Sequence, residues 1–186
     1  MTGALPCGGA VRQTDGMNDR PGPSDAAPHY FKYIDRVPSG DVVRTLSTQE
    51  GDLLTLVSGV TEETSRYRYA EGKWSLREVL AHLSDTERVF AFRAFWFARG
   101  LEASLPDFDQ EVAARGSRAD DISWGRHLEE FRRVRQSTLS LFRNLPSEAW
   151  NRIGVASGNP VSVRALAFIA AGHVAHHMAI IKARYL

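Results

Sequence analysis

The chain is nearly without cysteine: Cys7 stands alone, which excludes an internal disulfide framework and any CxxC redox or zinc pair. It also lacks an excess of either charge, with 23 Lys and Arg against 22 Asp and Glu. No basic block interleaved with aromatics occurs, so the electrostatic footprint of a nucleic-acid binder is missing. No apolar run approaches the ~18 residues needed to cross a bilayer, and the N-terminus has neither the charged nor the apolar region of a secretion signal. A cytoplasmic protein with no nucleic-acid or membrane partner is the plain expectation. Strand-like alternation is almost absent. So are glycine-rich phosphate loops, the Gly-x-Ser-x-Gly elbow and the HExxH zincin motif. No Glu-x-x-His occurs, which argues against a ferritin-like di-iron bundle.

What is present reads as one domain of ordinary size within 186 residues. Residues 1–28, rich in Gly, Pro, Ala, Ser and Asp without a period, are expected to form a flexible tail, leaving residues 29–186 as the domain. After Pro38-Ser39-Gly40, Val43, Leu46, Leu53, Leu54 and Val57 recur at helical spacing up to Gly59. Ser75-Leu76-Arg77-Glu78 is a capping box that opens a second helix running to Phe97, with Gly100 as its C-terminal stop. Residues 101–120 form a long connection, either a crossover between parallel neighbours or a lid. Leu128 to Leu145 mark a third helix stopped by Pro146, and Ser162 caps a fourth that extends to about Arg184. The predicted fold is an all-α four-helix bundle, up-and-down or crossover, with its long connection between helices 2 and 3.

Three of the six histidines crowd into Gly172-His173-Val174-Ala175-His176-His177. On a helix, His173 and His177 lie about 40° apart on one face, one turn above the other. The wheel turns both toward the apolar stripe of the fourth helix and leaves His176 at its rim, where it suits a supporting role. His82 shares a face of the second helix with Val79, Thr86, Val89, Phe90 and Phe97 and also points inward. Two histidines from one helix and one from another make a three-nitrogen metal site with open positions, the arrangement of a catalytic centre. A hydrogen-bonded core histidine is the ordinary reading of His82 alone, but buried unpaired imidazoles lose hydrogen bonds worth ~1–3 kcal/mol each, which a shared metal restores. His127, among Arg126, Glu129, Glu130, Arg132 and Arg133, reads as part of a solvated face, and the Arg-rich stretch from Arg126 to Arg135 likewise reads as a charged outer face.

The residues Gly72-Lys73-Trp74-Ser75 through His82 to Arg88, then Leu105-Pro106-Asp107-Phe108-Asp109-Gln110, then Ser162-Val163-Arg164-Ala165-Leu166 and the histidine cluster resemble the DinB/YfiT-like superfamily in order and spacing. The resemblance covers about residues 30–186. It implies a four-helix bundle binding one divalent metal, zinc, nickel or similar, through histidines that match His82, His173 and His177. Members with known chemistry include bacillithiol- or mycothiol-dependent S-transferases and a maleylpyruvate isomerase, while others are described as metal-dependent hydrolases; dimers are common.

The expectation that follows is a metal-dependent thiol S-transferase or hydrolase acting on a small electrophile, with a low-molecular-weight thiol as possible co-substrate. The rival is a non-catalytic, stress-related metal-binding or interaction protein on the same bundle. Asp85, one turn beyond His82, is a candidate to orient the imidazole or act as a base. Arg93 lies within about 20° of His82 on the wheel but roughly 16 Å along the axis, placing it to bind an anionic substrate group or to pair with Glu87 or Asp109. Asp107 and Asp109 are candidates for a fourth ligand. Phe92, Phe95, Trp96 and Phe97 span nearly the whole circumference of the second helix, which predicts a helix-mediated homodimer.

Overall fold

A computed structural model describes residues 19–186. Its helices are α1 (Phe31–Ile34), α2 (Val42–Leu56), α3 (Leu76–Ala98), α4 (Gln110–Ser117), α5 (Trp124–Arg143) and α6 (Val163–Arg184), with a hairpin of β1 (Ile153–Ala156) and β2 (Asn159–Ser162) before α6. Local chemistry starts α3 and α6 at the predicted caps, α2 at a cap not foreseen, and α5 at Ser123 without a side-chain cap. The Asp41 carboxylate accepts from the Val43 and Arg44 amides, and Ser75 and Glu78 close the reciprocal box at α3. Ser162 accepts from the Ala165 amide at α6. Gly100, at φ +76°, follows the end of α3 in the left-handed conformation that glycine adopts freely.

The bundle is formed by α2, α3, α5 and α6, with α3 packed on α5 and α6, and α2 packed on the same two helices. Consecutive helices α2/α3 and α5/α6 are therefore diagonal partners. Cross-helix bonds give the directions. Arg77 reaches Ile122 and Arg88 reaches Glu130, so α3 and α5 run parallel. His82 meets His173 while Trp74 meets Tyr185, so α3 and α6 run antiparallel. Parallel neighbours cannot be joined by a tight turn, and this accounts for the long connection between α3 and α5. That connection is not structureless, for it holds α4, capped by the Asp109 side chain.

One of the polar networks in the core takes a side chain from each of three helices and a carbonyl from the fourth. Arg135 on α5 donates from Nε and Nη2 to both oxygens of Glu87 on α3, at 2.8 and 2.7 Å. It also donates to the Leu46 carbonyl and to Gln49 Oε1 on α2. Gln49 in turn donates to the Ala171 carbonyl of α6 at 2.8 Å. Every buried charge here has a partner, as low dielectric demands.

Several expectations change. His127 is buried rather than solvated, with Nε2 2.9 Å from the Ala119 carbonyl. Arg135 likewise leaves the charged face of α5 for the core. The hairpin went unforeseen; its two-residue turn uses Ser157 and Gly158, both at positive φ, as a primed turn requires. Of the expected tail, residues 19–28 pack on the body: the Ser162 amide donates to the Asp25 carbonyl at 2.8 Å, and Arg164 pairs with the Asp25 carboxylate at 3.2 Å. The rest of that tail, Cys7 included, lies outside the described residues. Finally, α6 is long and apolar enough to cross a membrane, with a mean hydropathy of 1.3 over its best window, but 61% of that window is buried in the bundle. Its apolar surface is spent on the core.

Candidate metal centre

From the second turn of α3 and the middle of α6, His82, His173 and His177 bring one nitrogen each into a group spanning no more than 4.8 Å. His82 Nε2 and His173 Nε2 are 3.0 Å apart. Ring centroids lie 4.9 Å apart for His82 and His173, 5.0 Å for His82 and His177, and 4.6 Å for His173 and His177. The i,i+4 pair on α6 is set by helix pitch. The antiparallel packing of α3 on α6 then supplies the third imidazole at the same level.

His82 and His173 are each only 4% exposed. Trp74 lies against the His82 ring, with centroids 4.8 Å apart, and Tyr33 and Phe90 meet His173 edge-on. Tyr33 comes this close because Gly172 has no side chain: a Cβ there would sit 2.0 Å from the Tyr33 carbonyl oxygen. Burial pushes the His82 pKa down to about 4. It pushes His177 down to about 3, with repulsion from His82 and His176 adding to the effect. His173 is also driven well below the usual imidazole range by burial and by its neighbours. All three are neutral near pH 7, the state in which an imidazole can ligate.

Can these residues hold a metal ion? The Nδ1 of His177 is buried with no hydrogen-bond partner, a loss of ~1–3 kcal/mol that a ligand would offset. At metal–nitrogen distances of about 2.0–2.1 Å, tetrahedral ligand nitrogens stand roughly 3.4 Å apart. That separation falls between the 3.0 Å contact and the 4.8 Å span observed. Three neutral nitrogens suit zinc, nickel, copper or iron. Among the described residues no carboxylate or thiol joins the group. The set therefore fits a divalent ion with open positions.

Two cavities flank the imidazoles. One, about 280 Å³, is bordered by His173, Thr86, Phe90 and Arg93, and by Lys32 and Tyr33 around α1. The other, about 250 Å³, is bordered by His177, Trp74, Tyr69 and Tyr185. Gln110, the first residue of α4, borders both, so the long connection covers the site from above.

The remaining sequence candidates separate. Asp85 pairs with Arg88 at 3.3 Å and does not support His82, whose Nδ1 instead meets Thr86 Oγ1 at 3.2 Å. Thr86 shares His82's helix face one turn on, a spacing that could have flagged it. Burial raises the Asp85 pKa. Asp109 is occupied as the cap of α4. The Asp107 carboxyl is held below its usual range first by the Ser157 hydroxyl and then by the Phe108 amide. Neither aspartate joins the histidines. Arg93 pairs with neither Glu87 nor Asp109; its Nη2 donates to the Pro106 carbonyl and Ser157 Oγ, both at 2.9 Å. His176 is half-buried at the rim, its ring 5.2 Å from His177 and 5.6 Å from Tyr33. Ser157, Lys32 and His29, which all border the first cavity, carried no sequence signal, because turn and N-terminal residues reach the site only through the tertiary fold.

Comparison with known proteins agrees with this architecture. The model of the DinB superfamily matches residues 45–181. No curated protein matches the sequence. Among solved structures the chain is similar to YfiT from Bacillus subtilis, with a TM-score of 0.67 and 17% identity, covering 76% of this chain and 82% of that one. YfiT is described as "a probable metal-dependent hydrolase with an unusual four-helix bundle topology". At that identity the likeness establishes the fold.

Proposed function

The chain belongs to the DinB superfamily, and from that premise we propose that it is a metal-dependent enzyme, a thiol S-transferase or hydrolase acting on a small electrophilic molecule. His82, His173 and His177 hold one divalent ion, zinc or nickel, on this reading. The observation that carries it is the trio of neutral imidazoles, two buried and His177 half-buried, bordered by two cavities. The ion supplies Lewis acidity, lowering the pKa of a water or thiol nucleophile toward neutrality.

The protein's own part is positioning and exclusion. With His82 Nε2 on the ion the ring proton would sit on Nδ1, and Thr86 Oγ1, 3.2 Å away, would accept it and hold the ring in place. Trp74, Phe90 and Tyr33 keep the surroundings apolar, so charge developing at the site is poorly screened by water. An enzyme needs solvent-connected space at its ligands, whereas a storage or structural site closes around its ion. The flanking cavities favour the enzyme over the rival metal-binding protein. A cytoplasmic setting suits the transferase reading, because low-molecular-weight thiols are kept reduced there.

A homodimer belongs to the same proposal. Phe92 and Phe95 are 50% and 40% exposed on α3, and they border a groove of about 540 Å³ between α3 and α5 that none of the histidines lines. A strictly monomeric mass at micromolar concentration contradicts that part.

The test is turnover. Protein loaded with zinc or nickel is assayed with an electrophilic chromogen and a panel of low-molecular-weight thiols, and separately with activated esters. Metal-dependent conjugation with one thiol supports the transferase, metal-dependent hydrolysis the hydrolase. Neither activity in a fully loaded protein contradicts both and leaves the binding protein.

A further inference from the structure

Three arginines are almost fully buried: Arg77 and Arg135 at 0% and Arg93 at 4%. Arg77 has the Glu62 carboxylate and Arg135 has that of Glu87. Arg93 has no such ion pair. Among the described residues no carboxylate lies within 4.0 Å of it; the Asp107 carboxyl feels its charge from farther off and is joined to it through the Ser157 hydroxyl. A guanidinium has five N–H donors. The contacts to Pro106 and Ser157 both leave from Nη2, so Nε and Nη1 have no protein acceptor among the described residues. Neither atom is sealed off from solvent, so both donors open onto the space beside the arginine, where a charge-assisted hydrogen bond to an anion is stronger than one to water.

Its position says where that anion comes from. Arg93 borders the cavity of about 280 Å³ that touches His173, and Lys32 borders the same cavity. Arg93 also borders a neighbouring cavity of about 350 Å³ walled mostly by Val89, Phe92, Leu105, Pro106 and Phe108, with Arg88 and Asp107 also lining it. Against these two cations the first cavity carries one carboxylate, that of Asp107, already bonded by Ser157 and Phe108.

We propose that Arg93 binds the oxyanion of a small amphipathic substrate, a carboxylate or phosphate joined to a short apolar body. The oxyanion meets Nε and Nη1 of Arg93 with Lys32 nearby, and the apolar body lies along Val89, Leu105 and Phe108. The remainder of the molecule extends toward His173. This names the substrate class of the site proposed above and rests on that reading for its catalytic meaning, but the anion site itself does not need the metal.

The experiment is calorimetric titration of the full chain, zinc-loaded and chelator-stripped, with hexanoate, phenyl phosphate and the neutral hexanamide. Hexanoate binds roughly ten- to a hundredfold tighter than hexanamide in both forms, the range expected of a hydrogen bond to a charged group. Arg93→Gln removes that preference while zinc content by elemental analysis is unchanged, and Arg93→Lys restores part of it. The ratio of phenyl phosphate to hexanoate affinity identifies which oxyanion is preferred. If zinc never binds but the Arg93-dependent preference persists, the metal reading falls and the anion site stands. Equal binding of hexanoate and hexanamide overturns the proposal, as does failure of every probe to bind. So does a preference that survives Arg93→Gln but vanishes on stripping, for the oxyanion would then be a metal ligand. Should Arg93→Gln fail to fold, the wild-type comparison of hexanoate with hexanamide still decides.

Discussion

Replacing Gly172 with alanine sets two opposed effects against each other at the floor of the site. Alanine is the better helix former by about 0.8–1.0 kcal/mol, so on propensity alone the change stabilises α6. Sterically it is ruinous. The new Cβ would lie 2.0 Å from the Tyr33 carbonyl oxygen and 2.5 Å from its carbon, where ordinary contact is 3.4–4 Å. The obstacle is backbone, so relief requires α1 to move by about 1.4 Å or more. That shift strains a close-packed region at ~1–3 kcal/mol and loosens Ile34, now 0% exposed, whose full burial is worth ~1.5–3 kcal/mol. The clash wins, and Gly172→Ala destabilises by roughly 1–3 kcal/mol net. The built-in comparison is Gly51→Ala in α2, where nothing lies within 4 Å of the new Cβ; it stabilises by roughly 0.5–1 kcal/mol. Urea unfolding of the metal-free proteins measures both. A Gly172→Ala midpoint equal to or above wild type, moving in the same direction as Gly51→Ala, refutes the packing of α1 on α6.

Three further perturbations test the core and the site. Removing either partner of the buried Glu87–Arg135 pair, as Glu87→Leu or Arg135→Met, costs ~3–5 kcal/mol, whereas the double variant recovers most of that loss; additive losses in a double-mutant cycle contradict the pairing. The histidine cluster makes metal-free protein acid-sensitive. Because the folded pKa of His82 lies at about 4, below its usual 6.5, the unfolded chain takes up the proton first and stability falls as pH drops from 6.5 toward 4, by about 3 kcal/mol for this group. His82→Leu flattens that slope in urea titrations at stepped pH, and an unchanged slope contradicts the burial. Thr86→Val keeps the shape but removes the acceptor on His82 Nδ1; it weakens zinc binding by about 10–100-fold in chelator competition, and an unchanged affinity removes Thr86 from the site.

Much of this was legible in the residues because it is local. Ser75 with Glu78, Ser162, and Gly100 mark helix ends through hydrogen bonds within one turn. The inward turn of His82, His173 and His177 follows from helix periodicity. What the sequence hid is tertiary. His127 and Arg135 sit among charged neighbours and read as surface, but the Ala119 carbonyl and the Glu87 carboxylate cover them from other elements. The hairpin strands are four residues each, too short for alternation to show. In α4 only Ala114 is buried, so it has no apolar stripe to betray it. The diagonal order of the helices, which sets α3 parallel to α5 and stretches the connection over the site, is a packing choice that no local motif encodes.

The central claim is that three imidazoles share one ion. Elemental analysis of purified and reconstituted protein, wild type beside His82→Ala, His173→Ala and His177→Ala, tests it most directly, with circular dichroism confirming that each variant folds. One equivalent of divalent metal in the wild type, lost or sharply reduced in every folded variant, is the expected result. A wild type that takes up no metal after reconstitution, or folded variants that retain a full equivalent, would contradict it and return these histidines to the core.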